Sequence, residues 1–314
     1  MSSPHPYQNA KKIHIQEVVT RDGFQAEPVF VPTEEKIALI NRLSRAGYAK
    51  IEVTSFTSPK AIPKLADAEA VMKAIDRAPG VEYTVLIPNL KGAERAISVG
   101  VDEFNLVMSV SEAHNMANLK MGRENSFAAL SSVIDLAHQY KIPVNISLST
   151  SFGCPMTGMI SLADLMHWID RFAEAGVRGI TICDTTGMAN PAQVQMVCEA
   201  AQGKYPQLQW TLHFHNTRGM GLANALAAVN SGIDRFDSSL GGLGGCPYAP
   251  GATGNICTEE LVHMLDLMGF HTNMNIDALL ACSRDLQALI GRPLPSQLLM
   301  AGKVDKLHVA PCQP

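Results

Sequence analysis

Two histidines two residues apart, in the run His213-Phe214-His215-Asn216, are the first residues whose types and spacing suggest chemistry. On a strand, residues i and i+2 point to one face, so the two imidazoles share the same space. Arg21-Asp22 puts a cation beside a carboxylate, with Gln25 beyond. Asp22 and Asn255 can complete a set of two nitrogens and two oxygens with His213 and His215, leaving positions for water or substrate. Oxygen-rich mixed sets with open positions suit Mg²⁺ or Mn²⁺ better than a structural Zn²⁺. The bland alternative is two satisfied polar residues on a strand. Arg21 is either a plain ion pair with Asp22 or, at the mouth of a site, a stabiliser of a developing oxyanion.

A second stretch, 236–261 (FDSSLGGLGGCPYAPGATGNICTEEL), starts as an alternating strand and runs into six glycines. These are Gly241, Gly242, Gly244, Gly245, Gly251 and Gly254, with Cys246 among them and Asn255 after. Glycine at this density costs folding entropy, so a tight turn, a close backbone approach or a moving lid must require it. Such a loop can carry a thiol over a site and withdraw it. It is not a phosphate-binding loop, because no Gly-Lys-Ser/Thr follows. Glu52, Ser55 and Asp184 also fall near the ends of apolar runs. They are candidates for substrate contact, or partners of Arg21 or of the metal.

Strand-like runs are expected at 13–19, 49–56, 82–88, 102–110, 143–152, 179–184, 209–215 and 235–240. Helical runs are expected at 34–46, with Thr33 as its N-cap, and at 62–78, 90–99, 125–140, 161–175, 191–204, 219–231 and 257–268. Eight strand-helix units imply an α/β fold with parallel strands, closed as a (β/α)8 TIM barrel. The barrel core spans about 13–270, and 271–314 forms a C-terminal helical extension with one more helix near 276–290. A doubly wound open sheet is the runner-up, disfavoured because no G-x-G-x-x-G follows the first strand. In the barrel, strand C-terminal ends carry the chemistry. Arg21, Asp22, Ser55, Asp184, His213 and His215 all fall there.

Composition narrows the class. The chain has 314 residues, 46% of them hydrophobic, and a net charge of -4 without long runs. That points to no nucleic acid and no membrane partner, and no apolar window is long enough to span a bilayer. The N-terminal run lacks the apolar core of a secretory signal and the arginines of a transit peptide, so a cytoplasmic protein is expected, or one already trimmed of such a peptide. Seven cysteines, at 154, 183, 198, 246, 257, 282 and 312, are odd in number and irregularly spaced. They read as reduced, mostly buried thiols, with Cys312 a free tail thiol or half of a regulatory disulfide.

At these residues the chain resembles the 3-hydroxy-3-methylglutaryl-CoA lyase family. The motifs are RDGFQ (21–25), IEVTSFTSPK (51–60), PNLKG (88–92), CDTTG (183–187), HFHNT (213–217) and, most specific, GGLGGCPYAPGATGN (241–255). The resemblance implies that Asp22, His213, His215 and Asn255 hold Mg²⁺ or Mn²⁺. It implies that Arg21 neutralises an enolate oxygen and that Cys246 is a catalytic acid or base. It also implies retro-Claisen cleavage of an acyl-CoA substrate to acetyl-CoA and acetoacetate, and a homodimer. Three departures bear on the acyl pocket. Phe24 stands where leucine is usual, Asn216 where aspartate is usual, and Ser147 where a tyrosine often lies. A related substrate, citramalyl-CoA or a longer 3-alkyl-3-hydroxyglutaryl-CoA, is one alternative. A synthase or pyruvate aldolase of the same superfamily is another, though neither needs the cysteine loop.

Overall fold

A computed structural model describes residues 11–245 and 254–307. Eight parallel strands close into a barrel: β1 His14–Glu17, β2 Lys50–Ser55, β3 Glu82–Leu86, β4 Glu103–Ser109, β5 Val144–Ser149, β6 Gly179–Asp184, β7 Gln209–Phe214 and β8 Arg235–Ser238. They pair in chain order, and β1 joins β8 with Ile15 opposite Phe236. Period-2 alternation decides what each strand shows to either side. Along β4, Phe104, Leu106 and Met108 join the apolar core, while Glu103 and Asn105 line a polar cavity inside the barrel.

The surrounding helices are α1 Thr33–Leu43, α2 Ala68–Ala74, α3 Leu90–Ile97, α4 Glu112–Leu119, α5 Arg123–Gln139, α6 Leu162–Glu174, α7 Pro191–Lys204, α8 Gly221–Asn230 and α9 Thr258–Leu267. Side-chain caps start several of them: Asn89, Ser111, Ser161 and Asn190 each accept from an amide in the first turn. Such caps satisfy donors that the helix itself cannot. Thr33 does not act as one. The N-cap of α1 is Pro32, and the Thr33 hydroxyl donates to Asp67 at 2.8 Å.

Three local features depart from the sequence expectation. The helix expected over 62–78 is a 3₁₀ turn at Pro63–Leu65 followed by the shorter α2, and Ile75 is already extended. The helix α4, ended by Lys120 in the left-handed region, is additional. So is a small hairpin of Gly153–Cys154 with Gly158–Met159, and β5 before it stops at Ser149, short of the expected end at 152. Past the barrel, α10 Ile276–Ile290 and α11 Gln297–Ala301 follow. The Asn275 amide donates to Ala46 O at 2.8 Å, and Ser283 bonds Glu259, so this extension packs on the barrel wall. The described cysteines, Cys154, Cys183, Cys198, Cys257 and Cys282, are free and buried.

Candidate metal centre and active site

The chain leaves β1 through a π-helical turn, Val19–Gly23, in which the Val18 carbonyl accepts from the amides of Arg21, Asp22 and Gly23. Wide turns of this kind are rare and cluster at functional sites. Here the turn carries Asp22 toward the end of β7. The Nε2 atoms of His213 and His215 lie 3.1 Å apart, and Asp22 Oδ2 is 4.0 Å from His215 Nε2. One donor atom from each of the three falls within 4.8 Å of the others. His213 Nδ1 sits 3.2 Å from Asp237 Oδ2, a bond that orients the ring and turns Nε2 into the site.

Asn255 joins them through the backbone. Its residue bridges His215, the Ile256 amide donates to Phe214 O at 2.9 Å, and the Asn216 amide donates to Gly254 O at 3.1 Å. Its side-chain Nδ2 donates to Asp22 Oδ2 at 2.7 Å and to Leu243 O at 3.1 Å. Its Oδ1 is buried with no hydrogen-bond partner. A buried amide oxygen without a donor costs about 1–3 kcal/mol, which a cation relieves. One carboxylate, two imidazole nitrogens and this oxygen therefore fit a divalent ion.

The glycines around Asn255 have local reasons. Gly244 has φ +128°, and a Cβ there would lie 2.4 Å from Asn255 Nδ2 and 3.2 Å from Asp22 Oδ2. At Gly254 a Cβ would meet Gly242 O at 1.8 Å. So at these two positions glycine permits a close approach of backbone to the site. Cys246 and Gly251 lie outside the described residues, as does Cys312.

Arg21 forms two ion pairs, Nε with Glu52 Oε2 at 2.5 Å and Nη1 with Asp22 Oδ1 at 2.7 Å. Burial works against its charge, but Glu52 and Asp22 outweigh burial and hold it cationic. Burial likewise opposes ionisation of Asp22, and the cations around it with Asn255 overcome that, so its carboxyl titrates below the usual range. For His213, burial lowers the affinity for a proton, whereas the bond and charge of Asp237 raise it and prevail.

A cavity of about 630 Å³ opens at this end of the barrel, bordered by Arg21, Asp22, Gln25, His213 and His215 on one side. Asn105, Val107, Ser147, Ser149 and His114 border the other. The remaining expected substrate contacts sit elsewhere. Glu52 lies beneath, on the polar cavity of the barrel floor. Ser55 is buried and shares a 2.8 Å bond with the Thr57 hydroxyl, and it is Thr57 that borders the cavity. Asp184 does not pair with Arg21. Its Oδ1 accepts from the amides of Met188 and Ala189 at 2.8 and 3.2 Å, and burial pushes its carboxyl up to about 6. Asp237, Asn105 and Thr57 were not singled out from sequence. An acid at an inward position of β8 was a signal for Asp237; nothing local marked the other two.

The family model described as HMGL-like matches residues 12–286. The hydroxymethylglutaryl-CoA lyase of Bacillus subtilis is 44% identical over 300 residues, 96% of this chain and 99% of that one. The mitochondrial hydroxymethylglutaryl-CoA lyase of Homo sapiens is 38% identical over 291 residues, 93% of this chain and 90% of that one. Among solved structures, an HMG-CoA lyase from Acinetobacter baumannii in complex with coenzyme A and 3-methylmalate is 47% identical. It superposes with a TM-score of 0.92 over 99% of this chain and 100% of that one. With this match spanning the barrel and the residues of the candidate centre, the chain belongs to the HMGL-like family.

Proposed function

We propose that this protein is a carbon-carbon lyase that cleaves 3-hydroxy-3-methylglutaryl-CoA to acetyl-CoA and acetoacetate. The observation that carries the reading is the convergence of Asp22, His213 and His215 donor atoms within 4.8 Å, with Arg21 alongside on the same cavity. The named relatives, matched over nearly their full length, support it.

The substrate's 3-hydroxyl loses its proton, its oxygen becomes the ketone of acetoacetate, and the C2–C3 pair moves onto the thioester as an enolate. A proton added to C2 completes acetyl-CoA. Asp22, His213, His215 and Asn255 would hold a divalent ion, Mg²⁺ or Mn²⁺, which when bound would supply Lewis-acid polarisation at that hydroxyl. Arg21, kept cationic by Glu52 and Asp22, neutralises the enolate oxygen. His213, oriented by Asp237 through Nδ1, acts in catalysis by presenting Nε2 to the ion at the hydroxyl, and Cys246 as base takes the hydroxyl proton. Cys246 delivers the proton to C2, a role that rests on its place in the glycine loop and on the family resemblance. Gln25 contacts the acyl-CoA from the cavity wall, Glu52 acts from beneath through Arg21, and Ser55 acts through Thr57. A homodimer is what the resemblance suggests for this enzyme, and a cytoplasmic setting is what the composition of the N-terminal run suggests. Among the described residues no helix is long and apolar enough to cross a membrane.

A second reading keeps the chemistry and changes the acyl group. Ser147 borders the cavity where the family often carries a tyrosine, which leaves room for a longer 3-alkyl substrate; citramalyl-CoA, with a shorter acyl group, is the other alternative. Acetyl-CoA release should stop with EDTA and return with Mg²⁺ or Mn²⁺. A coupled assay of 3-hydroxy-3-methylglutaryl-CoA against citramalyl-CoA and a 3-ethyl analogue separates the two readings. Full turnover in EDTA would sink the metal-dependent mechanism.

A further inference from the structure

The two walls of the cavity are wired together beneath it. Glu52, which holds the Arg21 guanidinium through Oε2, has its other oxygen filled by a neutral residue two strands along the barrel: Asn105 Nδ2 donates to Glu52 Oε1 at 2.7 Å. Asn105 is itself held in one orientation. Its Oδ1 accepts from the Ser147 hydroxyl at 2.9 Å and from Asn145 Nδ2 at 2.9 Å, and Asn145 also donates to Thr181 Oγ1 at 2.9 Å. Two donors on one side and a carboxylate on the other leave the amide a single sense, because a flipped Asn105 would face donors with its NH₂ and Glu52 with its oxygen. All the members are buried: Glu52, Asn105, Asn145 and Ser147 are 3, 7, 6 and 8% exposed. Asn105 borders both the floor cavity and the substrate cavity.

We propose that Asn105 is a positioning residue for the lyase reaction, setting the aim of Arg21 through Glu52, and that Ser147 is the anchor that orients Asn105. The proposal rests on the reading of Arg21 as the group that meets the enolate. The physical argument concerns Glu52. Burial holds its carboxyl above the usual range, and Arg21 and Asn105 are the first groups that pull it back. Without the Asn105 donor, one buried carboxylate oxygen has no partner. The carboxylate then turns to share both oxygens with Arg21, or takes a proton and releases it. Either movement shifts the guanidinium relative to the substrate carbonyl, and misplacement at this scale lowers the chemical step more than it weakens binding. The link spans β1, β2, β4 and β5, so it fixes Arg21 against the wall that carries the acyl group, rather than against its own turn alone.

The test uses the full chain with Mg²⁺, assaying acetyl-CoA release from 3-hydroxy-3-methylglutaryl-CoA. Asn105→Val should lower kcat about tenfold to a hundredfold, the range expected for losing a hydrogen bond to a charged group, with KM changed less than about threefold. In a Glu52→Gln background the same substitution should change kcat less than about threefold, because the chain is already cut. Mn²⁺ affinity should be unchanged by Asn105→Val. If Asn105→Val does not fold, Ser147→Ala carries the test: kcat should fall with KM changed less than about threefold, and the fall in kcat should again vanish beside Glu52→Gln. An unaltered kcat in the folded variants, or an equal loss with and without Glu52, overturns the inference while leaving the lyase reading intact. A wild-type protein that releases no acetyl-CoA overturns the lyase reading itself.

Discussion

Gly244 shows how closely one residue can control the proposed centre. It combines φ +128° with contact distances that admit no Cβ beside Asn255 and Asp22. Any L side chain must displace the amide that bridges to Asp22 or shift the loop strand itself. Gly244→Ala should therefore keep the barrel and weaken Mn²⁺ binding by about tenfold or more, since second contacts to metal ligands typically carry that much. Isothermal titration of the purified variant measures it, and wild-type affinity would show that the Asn255 position does not matter to the ion. Asp237 acts at the same scale, through His213 Nδ1, and Gln25 is the expected substrate contact that the folded chain keeps on the cavity.

Among the elements, β1 and the root of the glycine loop are held by one buried carboxylate. Glu17 Oε1 accepts from the amides of Val18, Val19 and Leu240 at 3.0, 2.8 and 3.0 Å, and Oε2 meets the hydroxyls of Tyr48 and Thr258. It thus ties the turn that carries Arg21 and Asp22 to the start of the segment that returns as Asn255. Burial raises its pKa from 4.5 to about 7, against the pull of those donors. The folded protein then binds this proton more tightly than the unfolded chain does. The contribution of Glu17 to stability is highest below pH 4.5 and declines as pH rises through about 7, by on the order of 3 kcal/mol. Glu17→Gln cannot ionise, so its melting temperature relative to wild type should rise between pH 5 and pH 8. Parallel melting curves for the two proteins, with a constant difference across that range, would be the contrary result.

Over the whole molecule the barrel interior is divided by function. Its lower end is plugged by charge: Arg178 bonds both Glu82 and Glu103, and Lys50 bonds Glu103. Its upper end opens to the cavity. The proposed ion ties β1, β7 and the segment after the loop, which lie far apart in the chain. A ligand that binds the folded state alone stabilises it by about 2.7 kcal/mol at a hundred times its Kd. Saturating Mn²⁺ should therefore raise the melting temperature by a few degrees, and Asp22→Ala should abolish the rise. An equal rise in Asp22→Ala would place the stabilising ion elsewhere.

Much of this was legible in the chain because it depends on local periodicity. Alternation put His213 and His215 on one face, and β6, α7 and α10 occupy the expected residues. Repetition of strand and helix eight times determined the parallel barrel, and with it the end at which the candidate residues stand. What local pattern could not supply was partnership around the barrel. Asp22 and Asn255 are 233 positions apart and meet at 2.7 Å, and Asn105 reaches Glu52 across 53. Nor could it separate Ser55, spent on Thr57, from Gln25, which borders the cavity, or see Asp184 turn to its own loop. The chain by itself determined which side chains stand at the strand ends. The tertiary structure alone decided which of them touch, because closing eight strands sets distances that no local preference encodes.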